Sequence, residues 1–576
     1  MILSSRPLHT ITPVQISANA VKVAQFDKDD VEAMGLVKFD VLGLRMLACI
    51  SEAVELVERY EGIRLEMDEL TFDDKNVYDL MCSGHTLGVF QIESQGQMHL
   101  LAQHQPEVFG DLVSEVALFR PGPLQSGTLN PYVRRRRGKE PTSFLHPMLE
   151  PILGDTYGII IYQEQVLEIA HKVGGMPLRE ADEFRSVISK NRNVEAITHM
   201  KERFMQGAVA QGIDTESAQK ICDQLAHFTG FGFCRSHAAA FAKTVYQSAW
   251  LKHYHPAAYM AAFMQHRPGF YNLMTLEQEC RRLGVPILLP DINKSHIRYE
   301  LERIGQSQGQ GNDEHRTHEH SEADSDSHPT QILAIRKPLT SITGCTADVA
   351  KSITWARLTG AFTSVEDFIR RVDIPKDVFD AVALSGAMDE FSGNARRALW
   401  EVGVGVRRKN AKADEHALFE LPLINADDVP PLPPLRAQER LAYDYKTHGA
   451  ARMHPMVLYR RSLTDMGIHT VSTCYKLNNT SFTIAGIVIL RQSPPTAKGF
   501  LFVTLEDETG FVQCIVHPAM RERFNAELRN AALIVRGNLS GINNWRGLQV
   551  HDVHSLKGVI GGYYGVNLRV LQANWR

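Results

Sequence analysis

Val37-Lys38-Phe39-Asp40-Val41-Leu42-Gly43-Leu44 sets apolar residues in alternation with Lys38 and Asp40. That is the period-two pattern of a half-buried strand. Side chains two apart share a face, so the Lys38 ammonium and the Asp40 carboxylate emerge together, roughly 7 Å apart at the Cα level. Two-metal phosphoryl transfer needs such a pairing, with carboxylates to hold Mg²⁺ and a cation to neutralise a triphosphate. A surface strand with an incidental charge pair satisfies the same eight residues. The rest of the chain has to decide.

A chain of 576 residues is too long for one core, and its length suggests about three or four domains. Hydrophobic content of 44% and charged content of 22% are ordinary for a soluble globular protein. Lys+Arg 62 against Asp+Glu 66 gives a net charge of −4, so no global basic field announces a nucleic-acid partner. A large enzyme needs only a basic track. The eight cysteines are scattered without a C-x-x-C pair, which argues against zinc and disulfides and suits a reducing cytoplasm. No uncharged apolar run approaches about 18 residues, so no membrane span is expected. Residues 1–26 carry Pro7 and Pro13 without a continuous apolar segment, so they do not make a signal peptide. The expected location is cytoplasmic.

From about Leu47 the period becomes helical, with Ile50, Val54, Leu56 and Val57 along one face. Helices are expected to dominate to about residue 285, including a Tyr162, Val166, Ile169, Ala170, Val173 stripe and a long segment broken near Pro256. Residues 305–329 are Gln, Gly, His, Asp, Glu and Ser and cannot bury enough surface to fold. Residues 339–357 read as two helices around a turn at Gly344, a helix-hairpin-helix whose amides can meet a phosphate. Thr346 stands where a second glycine is expected. Pro430, Pro431, Pro433 and Pro434 mark a stiff linker. From about Ser481 four short strands suggest a small barrel of OB type. Arg491, Lys498, Phe500, Phe502 and Trp545 in it suit single-stranded nucleic acid, and a β-domain for protein contacts fits the same strands.

Dense polar clusters punctuate the helices: Gly88-Val89-Phe90-Gln91-Ile92-Glu93-Ser94, then Leu118-Phe119-Arg120-Pro121-Gly122-Pro123-Leu124-Gln125-Ser126-Gly127. Next come Thr156-Tyr157-Gly158-Ile159-Ile160-Ile161-Tyr162-Gln163-Glu164-Gln165-Val166 and Gly232-Phe233-Cys234-Arg235-Ser236-His237-Ala238-Ala239-Ala240-Phe241. Singly, each is turn chemistry plus a capped helix. In this order, with Lys38-Phe39-Asp40, they resemble the bacterial C-family replicative polymerases, the DNA polymerase III alpha subunits. Gly269-Phe270-Tyr271, the 491–499 loop and Leu505-Glu506-Asp507-Glu508-Thr509-Gly510 resemble the error-prone branch used in damage-induced mutagenesis.

The resemblance implies roles. Asp40 matches the last of three catalytic, metal-binding aspartates of the palm, and Lys38 a residue at the incoming triphosphate. Arg185 and Lys190 lie in the fingers segment whose basic residues approach the nucleotide; Ser236 and His237 match the motif near it; Tyr162, Gln163 and Gln165 belong to the same wall. Ser186, Asn191, Gln95 and Cys234-Arg235 depart from the family pattern, the first three removing cations. The family's other two aspartates precede the Asp40 match, after a phosphoesterase-like domain, and Leu289-Pro290-Asp291-Ile292-Asn293 imitates their strand with one carboxylate.

The resulting expectation is a multidomain α+β protein. Its parts are a palm remnant (1–46), mostly helical fingers (47–300), a disordered polar insert (301–330) and a helix-hairpin-helix region (331–424). A linker (425–470), an OB-type β-barrel (471–560) and a tail (561–576) follow. The implied function is error-prone, DNA-directed nucleotidyl transfer with two Mg²⁺ ions, in a truncated or split form inactive alone. The alternative is a non-catalytic DNA-binding module of a polymerase assembly. Implied partners are primer-template DNA, deoxynucleoside triphosphates and the sliding clamp, the last through Glu415-His416-Ala417-Leu418-Phe419. Arg134, Arg135, Arg136 and Arg137, Arg407-Arg408-Lys409, Gly344, Arg491 and Lys498 are the expected DNA contacts.

Overall fold

The computed structural model describes residues 1–17, 20–39, 43–119, 129–190, 194–227, 233–305, 332–412, 423–425, 429–477, 481–494, 497–542 and 545–559. Asp40, most of the 118–127 cluster, the polar insert from residue 306, the 415–419 peptide and the tail lie outside these residues.

At the front, strand Val37–Lys38 pairs antiparallel with Ile2–Leu3, and Val14–Ile16 pairs with Lys22–Ala24. The chain then turns helical at Arg45–Glu61, which buries Met46, Cys49, Ile50, Ala53, Leu56 and Val57 at the predicted helical spacing. Gly62 ends it in the left-handed conformation that a residue without Cβ adopts at least cost. Its apolar face packs on Pro256–His266, whose Tyr259, Met260 and Phe263 are almost fully buried. Each such side chain contributes about 1.5–3 kcal/mol by leaving water. The expected break falls where Pro256 opens a new helix after Arg235–Tyr254, since proline is tolerated in a first turn but not in a helix interior. A second core gathers helices Lys75–Cys82, Phe109–Leu118 and Arg235–Tyr254, and a third gathers Gln163–Lys172 through Thr215–His227.

Strands Glu300–Ile304 and Ile332–Arg336 pair antiparallel from Ile304↔Ile332 onward. The polar insert therefore joins two ends already held together, where added loop length costs little entropy. Ile287–Leu288 completes this three-stranded sheet. In the hairpin region the first expected helix is a single 3₁₀ turn, Leu339–Ser341, after Pro338. Gly344 follows at φ +82°, and Thr346 caps helix Ala347–Ala356 by accepting from the Val349 N–H.

The C-terminal domain is a closed five-stranded barrel: Ser481–Gln492, Leu501–Asp507, Gly510–Val516, Ala532–Ile542 and Trp545–Ser555. Strands one, two and three form a meander; strand five pairs parallel with three and antiparallel with four, which closes on one. Helix Pro518–Arg523 bridges three and four. This is the OB arrangement. Among the described residues no helix is long and apolar enough to cross a membrane.

Candidate functional site

Three segments far apart in the chain converge on Gln163. Tyr162 bridges Phe233, and the Gln163 N–H donates to the Phe233 carbonyl at 2.9 Å. Arg185 reaches in from helix Leu178–Lys190 and donates to Gln163 Oε1 at 3.2 Å while pairing with Asp182 at 2.8 Å. Immediately after Phe233, Cys234 caps the 20-residue helix Arg235–Tyr254. Glu164 takes the first amide of that helix: the Arg235 N–H donates to its two oxygens at 2.9 and 3.0 Å, and Cys234 Sγ to Oε1 at 3.3 Å. Arg235 pairs with Asp155 at 2.6 Å and lies over the Tyr162 ring, while Ser236 and His237 face solvent. His237 is steadied by Phe233 and Phe241, with ring centroids 5.2 and 4.2 Å away. Arg185, Arg235 and the start of a long helix thus share one rim, on which Asp182, Asp155 and Glu164 are their present partners.

Two expected wall residues act differently. Tyr162 is 2% exposed, its hydroxyl is bonded to Ser114 at 3.2 Å, and burial pushes its phenol up to about 12. It lies beneath Arg235, 5.2 Å from the guanidinium to the ring centroid, and presents little surface of its own. Gln165 is a buried cap whose Oε1 accepts the Ile161 and Tyr162 amides at 2.9 and 3.1 Å. Sequence reading missed Glu164 and Asp155, since nothing local marks a carboxylate that will cross to Arg235.

Lys38 stands on its exposed strand opposite Ile2. Asp40 and the Lys190 side chain lie outside the described residues. Asp291 holds a turn, its Oδ1 accepting the Asn293 and Lys294 amides at 2.7 and 3.2 Å. Among the described residues no three His, Cys, Asp or Glu side chains converge as metal ligands. They do not by themselves make a two-ion site.

The Gly88–Ser94 and Gly269–Tyr271 motifs prove to be one contact. Glu93 accepts the Gly88 N–H at 3.1 Å and the Phe270 N–H at 3.4 Å, while Tyr271 donates to its carbonyl at 3.1 Å. A Cβ at Gly269 would fall 2.5 Å from Glu93 Oε1, so a side chain there would have to push the carboxylate aside. Burial is the main cause that pushes the Glu93 carboxyl from 4.5 up to about 7, against those two amides and Lys252. The folded state therefore holds this proton more tightly than the unfolded chain. Its contribution is complete below pH 4.5 and is lost as the pH rises toward 7, by up to roughly 3 kcal/mol. Glu93→Gln is expected to flatten the unfolding free energy against pH across that window. Parallel profiles for the two proteins would refute the assignment.

The basic runs are largely tied into the fold. Helix Leu129–Arg136 buries Tyr132 and Val133, and the helical period puts Arg136 on the same side. Arg136 clasps Asp111 through both carboxylate oxygens and donates to the His104 carbonyl at 2.9 Å. Arg135 donates to Glu140 at 3.0 Å and the Tyr157 carbonyl at 2.9 Å. The four arginines are thus not four open phosphate contacts: Arg134 and Arg137 remain toward solvent, beside Glu140 and Glu107. Lys409 holds the Ile369 and Val372 carbonyls at 2.7 and 3.0 Å. Arg491 holds those of Leu528 and Asn530. Lys498 is exposed, at φ +48°.

Residues 46–212 match the bacterial DNA polymerase III alpha subunit finger domain, residues 284–399 a helix-hairpin-helix motif, and residues 1–43 the bacterial DNA polymerase III alpha NTPase domain. The chain is 35% identical over 561 residues to the error-prone DNA polymerase of Cutibacterium acnes, covering 94% of this chain and 49% of that protein. With the error-prone DNA polymerase of Nocardia farcinica the identity is 36% over 554 residues, 94% of this chain and 45% of that one. With that of Bordetella bronchiseptica it is 33% over 565 residues, 97% and 51%. The chain spans about half the length of these relatives. Fingers, hairpin region and barrel follow in one order with one set of motifs, and over 94% of its length the chain is similar to error-prone polymerases, with segments that match DNA polymerase III alpha subunits.

Proposed function

We propose that this chain forms the nucleotide-binding and template-binding half of an error-prone DNA-directed DNA polymerase. The observation that carries the reading is the rim on which Gln163, Arg185 and the start of helix Arg235–Tyr254 meet. A deoxynucleoside triphosphate would lie with its phosphates toward Arg185 and Arg235, taking the place that Asp182 and Asp155 hold on them, where cations offset a charge taken out of water. Ser236 and His237 stand on the open side to orient it, and Lys190 and Lys38 add cations. The primer-template would run along the hairpin at Gly344 and the barrel near Lys498, with Arg134 and Arg137 meeting phosphates. The sliding clamp is a further partner, through residues 415–419. In the family reaction a primer 3′-hydroxyl attacks the α-phosphorus and pyrophosphate leaves. Two Mg²⁺ ions neutralise charge and align that attack when bound, and Asp40 is the residue here that would ligate them.

Cys234 gives a direct test. Cys82 and Cys234 are the two half-exposed cysteines, the others being buried. Burial pushes the Cys82 thiol up to about 12, so iodoacetamide near pH 8 should modify Cys234 first. Saturating deoxynucleoside triphosphate is expected to slow that modification, about tenfold at ten times Kd. Arg185→Ala should raise the half-protecting concentration about tenfold, as fits the loss of one charge-assisted contact. Alkylation of Cys234 at an unchanged rate under millimolar nucleotide would remove the rim from the nucleotide site.

A further inference from the structure

We infer that Gln91 contacts the substrate, its side-chain amide meeting the base of the incoming nucleotide. The inference rests on the nucleotide reading of the Gln163, Arg185 and Arg235 rim and names the residue that takes the nucleotide's other end. Gln91 stands at φ +63°, in the left-handed region that a residue with a Cβ adopts only at a cost. Six other non-glycine residues among those described share a positive φ. Gln105, Tyr157 and Arg267 end helices, and Ala20 turns a hairpin. Phe72 seats its ring against Phe109 and Tyr246, and Lys498 lies in a barrel loop. Gln91 does none of these things.

Its conformation is imposed from outside. Every residue from Thr86 to Glu93 is buried or half-buried except Gln91, which is exposed. The Leu87 carbonyl accepts from Lys252 at 2.7 Å and the Gly88 carbonyl from the Tyr259 hydroxyl at 2.6 Å. The Phe90 N–H donates to Ser248 Oγ at 3.1 Å, and the Thr86 hydroxyl donates to the Ile92 carbonyl at 2.6 Å. The turn is thus fixed on both sides of Gln91, while among the described residues the Gln91 amide itself has no partner. Backbone strain that persists only because its surroundings over-determine it is concentrated at functional sites.

The place of Gln91 says what it serves. The Phe90 ring lies 5.2 Å from Phe241, and the Phe241 ring 4.2 Å from His237. Two half-buried rings therefore join the exposed His237 of the rim to the exposed Gln91. Phe241 stands about 9 Å along the helix from Arg235, at 1.5 Å per residue. A triphosphate seated on Arg185 and Arg235 carries its sugar and base beyond the phosphates, and this run toward Gln91 is where they would lie. A primary amide offers two donors and an acceptor oxygen without charge, which suits the edge of a base rather than a phosphate.

The test compares deoxyadenosine triphosphate with inorganic triphosphate as protectants of Cys234 against iodoacetamide in the 576-residue chain. Gln91→Gly removes the amide and the left-handed penalty together, so the melting temperature should hold or rise. The half-protecting concentration of the nucleotide should increase roughly three- to tenfold, as fits the loss of one neutral hydrogen bond. That of inorganic triphosphate, which has no base, should not move. An unchanged value for the nucleotide, or equal losses for both probes, would overturn the inference. A lower melting temperature would overturn it too, by making Gln91 part of the framework of the turn. If neither probe protects Cys234 in the unsubstituted chain, the rim reading falls and takes this inference with it. If only the Gln91 comparison fails, the rim stands.

Discussion

Given primed template, Mg²⁺ and all four deoxynucleoside triphosphates, the 576-residue chain alone is expected to leave the primer unextended. Joined to the unmatched part of a relative, it should extend it. The two-ion mechanism depends on carboxylates from more than one strand, and the Lys38-Phe39-Asp40 segment brings one. Phosphoryl transfer relies almost wholly on positioning and electrostatic stabilisation. Losing a metal clamp worth several kcal/mol lowers the rate by roughly 10³-fold or more. Asp40→Asn should abolish extension in the joined protein while nucleotide still protects Cys234. Robust extension by the isolated chain would reveal a second carboxylate and sink the split-site reading. DNA binding without rescue would favour the DNA-binding module.

Much of the fold was legible because periodicity is a local signal. The face of Arg45–Glu61, the break at Pro256 and four barrel strands all follow from spacings within a dozen residues. The fifth strand, Trp545–Ser555, went unread because His551, Asp552 and His554 interrupt its alternation, although Leu548, Val550 and Val553 point into the barrel. Roles that depend on what lies across the fold were less accessible. Nothing near Arg136 foretells Asp111, and Tyr162 sits in a motif that looks solvent-facing until Ser114 is brought beneath it. Glu93 and Gly269 belong to separate motifs, yet they make one contact, and only the packed structure shows that a side chain at the second would press on the carboxylate of the first.

Removing Arg282 is expected to be the most destabilising single change at the seam between helix Leu273–Arg282 and the barrel. Arg282 ends helix Leu273–Arg282 and meets Glu506, on the second barrel strand, at 2.5 Å. One turn back Glu279 contacts it at 3.3 Å and takes Lys252 at 2.7 Å; Lys252 also donates to the His85 and Leu87 carbonyls. Two cations and two carboxylates thus alternate in the buried seam, with Glu506 fully buried. Arg282→Met leaves Glu506 with Thr275 at 3.3 Å and no cation in contact. Breaking a buried pair from one side costs roughly 3–5 kcal/mol, whereas replacing both partners is often nearly neutral. Urea unfolding should therefore show a large loss for Arg282→Met, mostly recovered when Glu506→Gln is added. Acidity supplies an independent check. Burial already raises the Glu506 carboxyl, and Arg282 is the main influence that lowers it. Without Arg282 the folded carboxyl binds its proton still more tightly. The stability linked to that proton is present below the ordinary carboxylate range and disappears as pH rises. The deficit of Arg282→Met should accordingly be smaller at pH 5 than at pH 8. A deficit below about 1 kcal/mol, within the range of surface ion pairs, would mean that the seam is held by its apolar contacts.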